Sequence, residues 1–251
     1  MPTPRHLQTA PITEAIIDFR VKARPDLRAE DFGAVKDRLA ARLPKVEERR
    51  GLQARIELLK AKGEQPGPPL VQDLGLQGYF FRSQDEKIIA QFRIDGFTLN
   101  RLRPYTSWED IFPQAMELWE LYLKVAKPVE AVRLAARYIN HVSLPPGVQK
   151  FGDYLRGSPV IPPELPQYTS SFLTRVTIHD PLNDIAAHVT QALQPTGSAQ
   201  RLTVILDIDA YKEAQLPPED PAIERVFEQL QIFKNLIFFN SLTDETLRQF
   251  E

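Results

Sequence analysis

Two carboxylates in the segment Leu206-Asp207-Ile208-Asp209 are the residues of this 251-residue chain best spaced to do chemistry. On an extended strand Asp207 and Asp209 share one face, with a backbone rise of roughly 6.5–7 Å between them. That spacing suits a divalent cation or an acid/base pair, with Asp95 as a further carboxylate in a metal-dependent hydrolase or nuclease. The sequence supplies no third ligand at a recognisable spacing, so ion pairing with Arg93 or Arg137 is the preferred reading. His141, His179 and His188 fall on three separate predicted strands, without the HxH or HExxH spacing of a zinc site. No GxSxG elbow and no GxGxxG or GxxxxGK[ST] loop occurs, so acyl transfer and nucleotide binding have no motif to rest on. Arg101, Arg103, Tyr105 and Trp108 form an aromatic–basic cluster that could stack on a ligand and hold its phosphate. The competing reading is a rigid corner, with Trp108 packed on the sheet and Arg101 holding main-chain carbonyls. Asn100, Asn140 and Asn235 are expected to satisfy backbone groups at element ends.

The elements that position these residues follow from hydrophobic period. Residues 12–22 alternate: Thr13, Ala15, Ile17, Phe19 and Val21 on one side, Glu14, Asp18, Arg20 and Lys22 on the other. Phe32, Val35, Leu39 and Leu43 follow at helical spacing, and Pro44 stops that helix. Strands are expected over 52–60, where Leu52, Ile56 and Leu59 also fit a helix but the alternation of Leu52, Ala54, Ile56 and Leu58 is preferred, and over 78–82, 87–95 and 96–101, with a loop over 63–69 and a turn at 83–86. Ser107 caps a helix whose apolar stripe is Ile111, Ala115, Leu118, Leu121, Tyr122 and Val125, and Pro128 ends it. The pattern then restarts: a strand over 131–144, a helical turn at 151–155, strands over 171–178, 185–193 and 201–209, turns at 180–183 and 195–198, a helix over 223–240 and a short closing helix over 243–251. Phe233, Ile237, Phe238 and Phe239 make the long C-terminal helix unusually apolar. It is expected in the core, with a homodimer face as the alternative.

Both halves therefore read strand, helix, several antiparallel strands, long helix. The fold class is α+β: two similar halves, 1–127 and 128–251, forming one compact unit around one curved antiparallel sheet with helices on one face. This order resembles the TATA-binding-protein-like arrangement; a helix-grip fold is the alternative. Alternation places Glu14, Asp18, Arg20, Lys22, Arg93, Asp95, Arg133, Arg137, Asp207 and Asp209 on the face away from the helices. That face is either a groove for a zwitterionic ligand or protein segment, or a solvated surface laced with cross-strand ion pairs worth about 0.2–1 kcal/mol each.

Bulk properties narrow the function. Hydrophobic content is 43% and charged content 25%, values of an ordinary globular chain. Net charge is -2, with the N-terminal half at +3 and the C-terminal half at -5, and neither carries the basic footprint of a nucleic-acid binder. There is no cysteine, which removes disulfides, thiol nucleophiles and Cys-ligated metals. Residues 1–11 lack the apolar core of a signal peptide and no window is long enough to span a membrane, so a cytoplasmic location is expected.

Several segments resemble a sporadically distributed bacterial family of about 250-residue proteins without an established function. They are Pro11-Ile12-Thr13-Glu14-Ala15-Ile16-Ile17-Asp18, the run from Gln91 to Trp108, Leu134-Ala135-Ala136-Arg137-Tyr138-Ile139-Asn140, Leu206-Asp207-Ile208-Asp209, and Lys234 to Thr243. The resemblance spans nearly the whole chain. It implies a stand-alone bacterial protein, with an occurrence like that of mobile or defence-linked genes, and it brings no catalytic residues. The expectation is a non-enzymatic binding or regulatory protein that takes a protein partner or small ligand on the polar sheet face and needs no cofactor or metal. The residues expected to carry binding are Arg20, Arg93, Asp95, Arg101, Tyr105, Trp108, Arg133, Arg137, Asp207 and Asp209. The alternatives are the metal-dependent hydrolase or nuclease and, less expected, nucleic-acid binding.

Overall fold

The computed structural model describes residues 7–55, 70–145, 147–148, 150–194 and 202–251. The expected loop at 63–69, the turn at 195–198, residues 56–60 of the strand expected over 52–60, and the first six residues lie outside these.

Among the described residues, alternating segments form nine strands: β1 (Ile12–Lys22), β2 (Lys45–Arg55), β3 (Leu70–Arg82), β4 (Ile88–Arg93), β5 (Gly96–Leu102), β6 (Glu130–Leu144), β7 (Leu173–Asp180), β8 (Ile185–Gln194) and β9 (Leu202–Leu216). Four α-helical segments accompany them among the same residues: α1 (Lys36–Leu39), α2 (Trp108–Ala126), α3 (Ala222–Ser241) and α4 (Asp244–Leu247). The strands make one open antiparallel sheet in the order β2-β3-β4-β5-β1-β6-β9-β8-β7, and the fold is α+β. β1 lies at the centre, paired with β5 through Ile17↔Leu99 and with β6 through Ile17↔Ala136.

The core side of β1 is buried at Ala15, Ile17, Phe19 and Val21, with Thr13 half-buried, and Asp18 on the other side is buried as well. Phe19 stacks on Trp119 of α2 with ring centroids 4.4 Å apart and meets Phe227 of α3 at 4.8 Å. One central side chain thus touches both long helices, and the core is continuous across the two sequence halves. Phe233, Ile237 and Phe238 are buried in that core, so the apolar inner stripe of α3 is used within the chain. The tight β4–β5 turn requires glycine at Gly96. Its φ is +153°, and a Cβ there would lie 2.1 Å from the Phe19 carbonyl oxygen. Ser107 caps α2 as expected, accepting a hydrogen bond from the Asp110 N–H at 3.1 Å.

Several boundaries differ from the sequence reading, among them the start of β2 at Lys45, seven residues before the expected Leu52. The helix expected around residues 32–43 is a 3₁₀ turn over Ala29–Val35 that passes into the single turn of α1. Three residues per turn aligns Ala29, Phe32 and Val35 on one line, and all three are buried. β9 runs seven residues past Asp209, because its pairing with β6 continues to Ala131↔Leu216. β3 begins at Leu70 rather than Gly78, paired throughout with β2. No helix among the described residues is long and apolar enough to cross a membrane.

Candidate functional site

The face of the sheet away from α2 and α3 gathers the charges that alternation assigned to it. Asp18 on β1 is the hub. It accepts hydrogen bonds from Arg93 Nη2 at 3.1 Å, Arg20 Nε at 3.0 Å and the Thr98 hydroxyl, and lies 3.7 Å from Arg133 Nη1. Arg93, only 4% exposed in its side chain, also donates through Nε to Asp95 at 3.0 Å, and Arg20 donates to the same carboxylate. Arg133 donates to both oxygens of Asp209, at 3.0 and 2.9 Å. Arg137 makes a two-pronged pair with Asp207, at 2.9 and 2.6 Å. Burial alone would raise the Asp18 pKa, but the Arg93 and Arg20 charges and the Thr98 hydrogen bond outweigh it and hold the carboxyl below its ordinary range.

Asp207 and Asp209 are both occupied by guanidinium groups, and no group of three metal-ligating side chains occurs among the described residues. Arg137 takes Asp207 as expected, but Asp209 is held by Arg133; Arg93, on β4 and four strand positions from β9, pairs instead with Asp18 and Asp95. Asn100 also departs from expectation. It serves a side-chain chain, accepting from Gln91 at 2.8 Å and donating to Glu14 at 2.6 Å, not a backbone end. His141, His179 and His188 lie on β6, β7 and β8 as separate groups; His188 bonds Thr177 at 3.0 Å and rests on the Tyr211 ring.

The aromatic–basic cluster divides. Arg101 donates to the Pro104 carbonyl at 3.2 Å, the corner role. Tyr105 and Trp108 go further: they line a cleft of about 260 Å³ on the helix side of the sheet. Tyr138 and Asn140 reach it from β6, and Lys234 and Phe238 from α3. The N-terminal end of α2 opens onto it through Ser107 and Trp108. The Tyr105 and Tyr138 hydroxyls are 3.2 Å apart, and burial raises both of their pKa values, so both remain protonated phenols.

Lys234 is the unusual member. It occupies the inner stripe of α3, four residues after Leu230 and three before Ile237, and is 7% exposed. Its Nζ sits 3.6 Å from the centre of the Tyr138 ring. Among the described residues no carboxylate pairs with it and no acceptor takes a hydrogen bond from it; Glu109, which also lines the cleft, is exposed and forms no ion pair with it. Burial without a counter-charge pushes its pKa down to about 7. The sequence carried a signal for this residue: a lysine at a position where the helical period calls for an apolar side chain. Asn140 carried the same signal, since it alternates with Tyr138 and Val142 on the core face of β6.

No protein-family model matches this sequence, and no curated protein matches it either.

Proposed function

We propose that this chain is a non-enzymatic binding module that holds a small acid, a carboxylate or phosphate ester, in the cleft between β6, α3 and the start of α2. The observation that carries the reading is Lys234, a buried amine at the wall of a cleft that rests on the Tyr138 ring and has no carboxylate or hydrogen-bond acceptor among the described residues. An anion entering there would supply the missing counter-charge in surroundings of low dielectric, where a pairing is worth far more than at the surface. The α2 N-terminus adds main-chain N–H groups and a favourable dipole, and the aromatic walls suit an apolar body. The polar sheet face, where binding was first expected, is a weaker candidate, because an incoming ligand must break the ion pairs already made there.

The same reading treats the two halves, 1–127 and 128–251, as products of a duplication with a TATA-binding-protein-like layout. In its support, strand order outward from the centre is β1, β5, β4, β3, β2 on one side and β6, β9, β8, β7 on the other. In each half the first strand is central and the last one lies beside it.

Isothermal titration with 3-phenylpropionate, phenyl phosphate and the uncharged 3-phenylpropanamide tests the binding role. One or both acids should bind and the amide should not, with Lys234→Met abolishing the heat. Acids that give no heat, or that bind Lys234→Met equally well, would overturn it.

A further inference from the structure

Asn140 stands in the same cleft as Lys234 and lacks the opposite kind of partner. It is 1% exposed, on β6 between Tyr138 and Val142. Its Nδ2 donates to the Leu206 carbonyl at 3.0 Å and to the Tyr138 carbonyl at 3.3 Å. Those two bonds fix the amide, because flipping it would set Oδ1 against two carbonyl oxygens. With the nitrogen committed to the main chain, Oδ1 is buried and receives no hydrogen bond among the described residues. The nearby phenols do not serve it: the Tyr105 and Tyr138 hydroxyls meet each other at 3.2 Å, and neither is a partner of Oδ1. Buried carbonyl oxygens are nearly always satisfied, and one that is bare at the wall of a cleft points to a ligand group.

The cleft therefore presents two unmet groups of opposite sense, an amine without an acceptor and a carbonyl oxygen without a donor. A simple acid answers only the first. We infer that the ligand is a small acid that also carries a hydrogen-bond donor, a hydroxyl or an N–H, so that the acid meets Lys234 while the donor meets Asn140 Oδ1. The walls formed by Tyr105, Trp108 and Phe238 take the apolar body, and a volume of about 260 Å³ limits it to a single ring or a branched chain. A hydroxy acid or an amino acid derivative has this chemistry. The inference rests on the binding role proposed above and adds a second point of recognition to it.

Two probes that differ by one hydroxyl isolate that second point: 3-phenyllactate and 3-phenylpropionate, titrated calorimetrically into the full chain at pH 6.5. Both should bind, with the better enantiomer of phenyllactate at least tenfold tighter. Asn140→Leu should bring the two within twofold of each other; circular dichroism melts establish that this variant is folded. Equal affinities in the wild-type protein would overturn the inference and leave the acid-binding role standing. If neither acid bound, the binding role would fall and the inference with it. The wild-type comparison decides the matter even if Asn140→Leu does not fold.

Discussion

Asp18 on the open face has three arginines around it, whereas Lys234 on the helix side has no carboxylate partner among the described residues. Both groups are mostly buried, and both have displaced pKa values, but for opposite reasons. At Asp18 burial opposes the charge and the arginines restore it. At Lys234 burial acts alone. A charge that is satisfied within the chain belongs to the architecture: the Asp18 network ties β1 to β4, β5 and β6 in one web. A charge left unsatisfied lowers stability, and its retention in a cleft points to a partner from outside. The comparison teaches that density of charge is a poor guide to a site, and that unmet bonding capacity is a better one.

The sharpest way to break the satisfied side is Asp18→Asn. It leaves Arg93, at 4% side-chain exposure, facing an amide in place of one of its two carboxylates, and takes the shared counter-charge from Arg20 and Arg133 as well. Removing one partner of a buried pair typically costs about 3–5 kcal/mol. Urea unfolding should show a loss of that order. The pH dependence has a definite sign. The Asp18 carboxyl titrates lower in the folded chain than its ordinary 3.8, so its contribution is present above that value and is lost as pH falls through the folded-state pKa. The wild-type chain should therefore lose stability in acid more steeply than Asp18→Asn does. Parallel acid profiles would refute the hub role.

The unsatisfied side should respond in the opposite direction. Lys234→Met replaces an unpaired buried amine with an isosteric apolar chain and should stabilise the protein by about 2–4 kcal/mol near pH 7. The folded-state pKa of about 7 lies below the ordinary 10.5, so the lysine's penalty is full below pH 7 and fades as pH climbs toward 10.5. Thermal melts of the pair should diverge at pH 6 and converge near pH 10. A destabilised Lys234→Met at pH 6 would mean that Lys234 has a structural partner and would remove the contrast.

Much of the satisfied side was legible in the sequence. Strand alternation has a period of two, so reading β1, β4, β6 and β9 placed Asp18, Arg93, Arg133, Arg137, Asp207 and Asp209 on one face, where the structure finds them. Their individual partners were not legible, because pairing depends on register and strand order. β6 sits between β1 and β9, which gives Asp209 to Arg133 and leaves Arg93 to Asp18. The cleft was half visible. Tyr105 and Trp108 stood out as a cluster, but the stretches that complete it, around Tyr138 and Lys234, are far from it in sequence. Lys234 and Asn140 break the apolar period of α3 and β6, and a polar residue on a buried stripe is where local pattern yields to function.

Arg137→Ala gives the smallest effect and separates the two faces most cleanly. The Arg137 side chain is 43% exposed, and its pairing with Asp207 is open to solvent and salt. Such pairs contribute about 0.2–1 kcal/mol, so the melting transition should move little and should move still less in high salt. Arg137 also neighbours Tyr138 in the strand, and adjacent strand residues point to opposite faces. Its removal should leave small-acid affinity in the cleft within twofold of wild type, while Lys234→Met abolishes binding. Titrating both variants with the same acid locates the ligand: if Arg137→Ala loses binding and Lys234→Met keeps it, the ligand sits on the open face, and the unpartnered lysine is a cost of the fold with no role in recognition.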